Sequence, residues 1–115
     1  MKEHDYFIFK GMNYYTIRRM LKKGVPFNIR IAGTSMEPYL KTGDCVRIQC
    51  GNQDFKERGL VLIDWGGAFV VHRLVDKENM LTKGDNLDTT DPPELEIVCT
   101  VDKIVTTSEY FECES

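Results

Sequence analysis

The 115-residue sequence has no long apolar run. A membrane-spanning helix needs roughly 20 mostly apolar residues. The most apolar stretch here, 59–75, is broken by Asp64, Gly66, Gly67, His72 and Arg73, so no membrane span is expected. The opening Met1-Lys2-Glu3-His4-Asp5 lacks the basic-then-apolar layout of a secretion signal, and a cytoplasmic location is expected. There is also no long basic stripe. The 15 basic and 18 acidic residues give a net charge of −3, so nucleic acid is not an implied partner. Cys45, Cys50, Cys99 and Cys113 show no Cys-x-x-Cys spacing, which leaves metal binding without support. They read as reduced thiols, the first three acting as small apolar strand residues. A Cys45–Cys99 or Cys50–Cys99 disulfide stays open at this level. No cofactor is implied.

Repeats, low-complexity runs and interdomain linkers are absent too. With 42% apolar and 29% charged residues, the composition is that of an ordinary globular chain, and its length suits one hydrophobic core. A single domain over 1–115 is expected, with an N-terminal arm and helix over 1–26 and a β core over 27–106.

Asn13 can cap a helix over 14–23, where Tyr14, Ile17 and Leu21 share one face and Gly24 with Pro26 ends it. Such a helix packs on a sheet more readily than it reads DNA. Arg18, Arg19, Lys22 and Lys23 are expected on its solvated side. From residue 27 the apolar period becomes two. Strands are expected over 27–32, 44–50, 60–65, 68–76, 80–83 and 95–106. Gly66-Gly67 and Glu78-Asn79 read as hairpin turns. Within 68–76, His72 shares a face with Val70 and Leu74, and Arg73 takes the other with Phe69 and Val71. Several short antiparallel strands and one N-terminal helix predict a mainly-β fold: a small, strongly bent antiparallel sheet or partly open barrel.

The chemistry concentrates in three segments. Gly33-Thr34-Ser35-Met36-Glu37-Pro38 follows an apolar strand, with Pro38 expected in the first turn of a short helix. That places an exposed Ser35 hydroxyl beside backbone N–H groups, as a nucleophile next to an oxyanion hole requires. A serine needs an adjacent base, and imidazole titrates near neutral pH. His72, in Val71-His72-Arg73, is the candidate; His4 lies in the N-terminal arm. A lone strand histidine is more often structural, and the flanking motifs set His72 apart from that role. An imidazole base needs an orienting carboxylate. Asp85, Asp88 and Asp91, in Lys83-Gly84-Asp85-Asn86-Leu87-Asp88-Thr89-Thr90-Asp91, are the candidates.

Ser-Met-Glu-Pro, Val-His-Arg and Thr-Lys-Gly-Asp-Asn, with a further Asp six residues on, resemble the signal peptidase I family over about 27–105. The nearest form is the histidine type of the endoplasmic reticulum, archaea and some sporulating bacteria. There, histidine stands where most bacterial enzymes have a catalytic lysine. The turn Gly33-Thr34-Ser35-Met36 also resembles that of the self-cleaving LexA-type repressors of the same clan. The resemblance implies a coiled all-β sheet bearing the serine on a turn, and a serine endopeptidase. Ser35 would be its nucleophile, His72 its base and Asp91 the partner of His72. Asp85 is expected to pair with Arg73, Met36 to pack beneath the turn, and Lys83 to be structural. An extended peptide or protein with a small residue beside the cut would be the substrate, and a homodimer is allowed. Two departures stand out. Gly33 occupies the place where signal peptidases usually carry a serine that helps the oxyanion hole, and Arg58-Gly59 replaces the usual Gly-Asp.

The rival reading is a non-catalytic peptide-binding or dimerisation module of the same fold. Self-cleavage is a further rival. Ala32-Gly33 lies inside the nucleophile turn, however, and Lys10-Gly11 is a poor match to the repressors' cleaved bond.

Overall fold

The structure, a computed structural model, describes residues 14–24, 26–50 and 54–104. A single helix, α1 (Tyr14–Lys23), precedes six strands. These are β1 (Phe27–Arg30), β2 (Cys45–Gln49), β3 (Leu60–Asp64), β4 (Phe69–Asp76), β5 (Leu81–Lys83) and β6 (Glu96–Ile104). They form one antiparallel sheet in the order β1-β2-β6-β3-β4-β5. The fold is mainly β, as expected, and the sheet does not close into a barrel. Register shifts between Val46 and Ile48, Leu62 and Ile63, and Leu74 and Asp76 interrupt three of its pairings. An extra residue on one strand bends and twists a sheet locally.

Helix α1 docks through the face its period predicts. Ile17 and Leu21 are buried, and Tyr14 stacks on Phe69 at 5.0 Å between ring centroids. Burying each aliphatic side chain contributes about 1.5–3 kcal/mol. The Tyr14 hydroxyl donates to the Asp64 carboxylate. Arg18 is not on a solvated face: it lies 3.5 Å from Asp64 and 3.6 Å from Glu96. One turn of helix carries Arg18 from Tyr14 toward the same acidic strand end. Arg19, Lys22 and Lys23 are exposed. Asn13, the expected cap, lies outside the described residues.

Alternation along β4 separates two apolar clusters. Phe69 and Val71 join the larger one with Ile17, Leu21, Ile29 and Leu62. Leu74 joins the smaller one with Phe55, Val61 and Ile63. His72 pairs in register with Val61, on the side of the smaller cluster. The β3–β4 hairpin turns at Gly66 and Gly67, whose φ angles of 75° and 120° suit glycine. Asp64 Oδ1 accepts from both glycine N–H groups.

Two expectations fail. Residues 33–40 form turns, not a short helix. Glu37 N–H donates to Thr34 O and Leu40 N–H to Met36 O, but Pro38 has no N–H to continue the series. The cysteines are not all reduced thiols, because Cys45 is disulfide-bonded. Cys50 and Cys99 are free, so neither pairing left open by the sequence forms. Burial pushes both free thiols above their usual pKa.

Candidate active site

The site is assembled at the turn that follows β1. Thr42 fixes the start of that turn: its hydroxyl donates to Gly33 O at 2.7 Å, and Gly33 N–H donates to Thr42 Oγ1 at 3.0 Å. Gly33 N–H is therefore engaged. The Ser35 and Met36 N–H groups donate to no other backbone group among the described residues. Met36 is buried beneath the turn, and its sulfur accepts from Asp85 N–H at 3.4 Å. Ser35 is itself buried, at 7% exposure, in contrast to the exposed hydroxyl expected of a nucleophile turn. The segment after β5 covers it: Asn86 N–H donates to Ser35 O at 2.8 Å, and Asn86 Nδ2 donates to Thr34 O at 3.1 Å.

His72 reaches the same point from β4. Its imidazole is 1% exposed, and Nε2 lies 3.2 Å from Ser35 Oγ. Its other nitrogen, Nδ1, lies 2.6 Å from Asp91 Oδ2. The fold thus brings Ser35, His72 and Asp91 into one buried polar chain. In such a chain Nδ1–H donates to the carboxylate and Nε2 is left to accept the serine proton. Asp88 is not part of it. That residue is exposed and makes no hydrogen bond or ion pair among the described residues. An open cleft of about 550 Å³ beside the chain is lined in part by Trp65, His72, Leu87, Asp88 and Pro92.

Asp85 sits on the far side of the strand. Arg73 Nε and Nη2 each donate to its carboxylate at 2.8 Å. Arg73 Nη1 donates to Arg58 O at 2.6 Å, and the guanidinium stands 4.5 Å over the Tyr39 ring. The Asp85 hydrogen bonds raise the Arg73 pKa, outweighing partial burial. Arg73 thereby joins β4, the segment over Ser35 and the end of the serine turn. Arg58, at a sequence departure from the clan, adopts a φ of 70° and receives this bond. Lys83 pairs in register with Arg73, and its ammonium donates to Gly84 O at 3.3 Å.

Two further residues shape the site, both within the Thr-Lys-Gly-Asp-Asn segment but without a role assigned from sequence. Thr82 is buried and donates to Asp91 Oδ2 at 2.7 Å. Gly84 lies so close to the site that a Cβ there would stand 2.8 Å from Ser35 O and 3.1 Å from His72 Nε2. Their signal was that segment itself, where they stand two positions apart, the spacing that puts residues of an extended chain on one face. Among the described residues no group of three His, Cys, Asp or Glu side chains could hold a metal ion, and no helix is long and apolar enough to cross a membrane.

The geometry joins a serine turn to a histidine strand on a bent antiparallel sheet, and sequence comparison agrees with that architecture. The Peptidase S24-like family model matches residues 5–84, more than half of the chain. The protein belongs to this family, which has a serine-peptidase type of fold. The match includes Ser35 and His72 and stops short of Asp85 and Asp91, so the place of those two carboxylates rests on geometry alone. No curated protein and no solved structure matches the chain.

Proposed function

We propose that the protein is a serine endopeptidase in which Ser35 attacks the scissile carbonyl. His72 takes the serine proton and returns it to the leaving amine, and Asp91 orients His72 and balances its charge. One observation carries the reading: the unbroken chain from Ser35 Oγ to His72 Nε2 and from His72 Nδ1 to Asp91 Oδ2, at 3.2 and 2.6 Å. Ser35 N–H, with Met36 N–H beside it, is suited to stabilise the oxyanion. The histidine base and the Lys-Gly-Asp-Asn segment favour the histidine-type signal peptidase variant within the clan.

The substrate is an extended peptide or leader segment, processed in the cytoplasm. It would add beside a strand edge by main-chain hydrogen bonds. The strands β1 and β5 form the two edges of the sheet. A small residue next to the cut follows from the clan resemblance. Self-cleavage at Ala32-Gly33 is disfavoured, since Thr42 ties that bond into the turn bearing Ser35. Lys10-Gly11 lies outside the described residues.

The test is covalent labelling with a serine-reactive acylating probe alongside cleavage of a peptide library. Wild-type protein should label at Ser35 and cleave a subset of peptides. Ser35→Ala should do neither, while unfolding at the wild-type temperature. A wild-type protein that neither labels nor cleaves would support the peptide-binding module instead.

A further inference from the structure

Strand β5 has three residues and pairs antiparallel with β4, Leu74 opposite Thr82 and Arg73 opposite Lys83. Directly opposed residues share a face of the sheet. Thr82 therefore projects on the face of β4 that carries Leu74 and His72. It is 5% exposed, and a buried hydroxyl needs a partner. That partner is Asp91: Thr82 Oγ1 donates to Oδ2 at 2.7 Å. The main chain adds a second tie, Asp91 N–H to Thr82 O at 2.7 Å. The carboxylate oxygen that receives the hydroxyl is the same one that faces His72 Nδ1 at 2.6 Å.

We propose that Thr82 is a positioning residue for the proposed hydrolysis, setting the rotation of the Asp91 carboxylate so that Oδ2 faces His72 Nδ1. This inference rests on the peptidase reading. Asp91 lies in the irregular segment between β5 and β6, so no strand ladder orients its side chain. The terminal torsion of an aspartate is broad, and turning its carboxylate is cheap. Among the described residues, its side chain has two hydrogen-bonding partners, His72 and Thr82. Without the hydroxyl, only the imidazole it must aim would hold it. A carboxylate only accepts, so the hydroxyl proton points to Oδ2.

A merely structural threonine would tie down the loop without affecting the imidazole. Thr82→Val keeps the shape and removes the donor, and Thr82→Ser restores it. With wild-type protein and a peptide it cleaves, Thr82→Val should lower kcat about tenfold or more, the equivalent of one charge-assisted hydrogen bond. KM should change less than about twofold, and Thr82→Ser should recover most of the rate. Proton NMR supplies a readout that needs no turnover. A proton on His72 Nδ1, held in a short bond to the Asp91 carboxylate, should resonate far downfield. That resonance should weaken or move upfield in Thr82→Val and return in Thr82→Ser. Wild-type kcat with an unchanged resonance in Thr82→Val would overturn the proposal, as would a loss confined to KM or a serine variant that recovers nothing. If Thr82→Val does not fold, Thr82→Ala against Thr82→Ser gives the same comparison. Should the wild-type protein cleave no peptide, the peptidase reading falls, and the resonance alone decides whether Thr82 sets Asp91.

Discussion

Gly84 lies against the His72 imidazole with no room for a side chain between them. A Cβ at Gly84 would meet His72 Nε2 at 3.1 Å, Leu87 Cδ1 at 2.9 Å and Ser35 O at 2.8 Å. The last of these is backbone and cannot swing aside. Gly84→Ala should therefore separate Ser35 from His72 while leaving most of the sheet intact. A displacement of about 1 Å at a reacting group can cost on the order of 100-fold. Peptide cleavage should fall by about that factor, with a modest drop in unfolding midpoint. Near-wild-type turnover would mean that the serine–histidine approach is not set here.

Arg73 is the second tie across the site. Breaking a fully buried ion pair costs about 3–5 kcal/mol. Here the side chains of Arg73 and Asp85 are 19% and 21% exposed, so solvent screening reduces that figure. Arg73→Ala should destabilise the fold by about 2 kcal/mol. Arg73→Lys should recover only part of this, because an ammonium cannot replace the two-pronged contact or stack as well on Tyr39. Denaturant unfolding of the three proteins checks the order. A lysine variant as stable as wild type would make the pair a simple charge contact.

Tyr14 offers a pH-dependent test of how α1 docks. Its pKa is raised above the usual 10.0, first by its hydrogen bond to Asp64 and then by burial. A folded-state pKa above the unfolded one means that the folded protein holds the proton longer. The contribution is thus complete below about pH 10 and is lost as pH rises through the folded-state value. Tyr14→Phe should lower stability by about 1.5 kcal/mol at neutral pH. The gap to wild type should close above pH 10. A gap that stays constant into that range would mean that the hydroxyl stabilises the fold other than through its proton on Asp64.

Much of this architecture could be read from local pattern. The helix at 14–23, the strand alternation around His72 and the Gly66-Gly67 hairpin are set by residues close in sequence. Ser35 and His72 were legible because their motifs are compact, although they stand 37 positions apart. The failures were tertiary. Burial of Ser35 comes from Asn86 and Gly84 folding across it, a contact with no local signature. Arg18 left the solvated face because two carboxylates at the sheet end lie within its reach. Thr82 stands inside Thr-Lys-Gly-Asp-Asn, but its role was not legible there, since it depends on a hydroxyl meeting a loop nine residues away.

Asp88 and Asp91 offer the sharpest comparison, because both lie in one loop and differ in what they touch. Asp91 is buried against His72 and Thr82, whereas Asp88 is exposed. Asp91→Asn removes the charge that would balance an imidazolium forming in a buried site. The amide can also donate to Nδ1, which puts the imidazole proton on Nε2 and leaves nothing to accept the serine hydroxyl. By analogy with the aspartate of serine-protease triads, kcat should fall by about 10³–10⁴-fold. Asp88→Asn should change kcat on a neutral peptide less than about twofold. Unfolding curves run beside the kinetics guard against a general loss of structure: Asp91→Asn must stay folded at the assay temperature for the comparison to count. Equal losses from the two substitutions would remove Asp91 from the mechanism, and a large loss at Asp88 alone would transfer the orienting role to it.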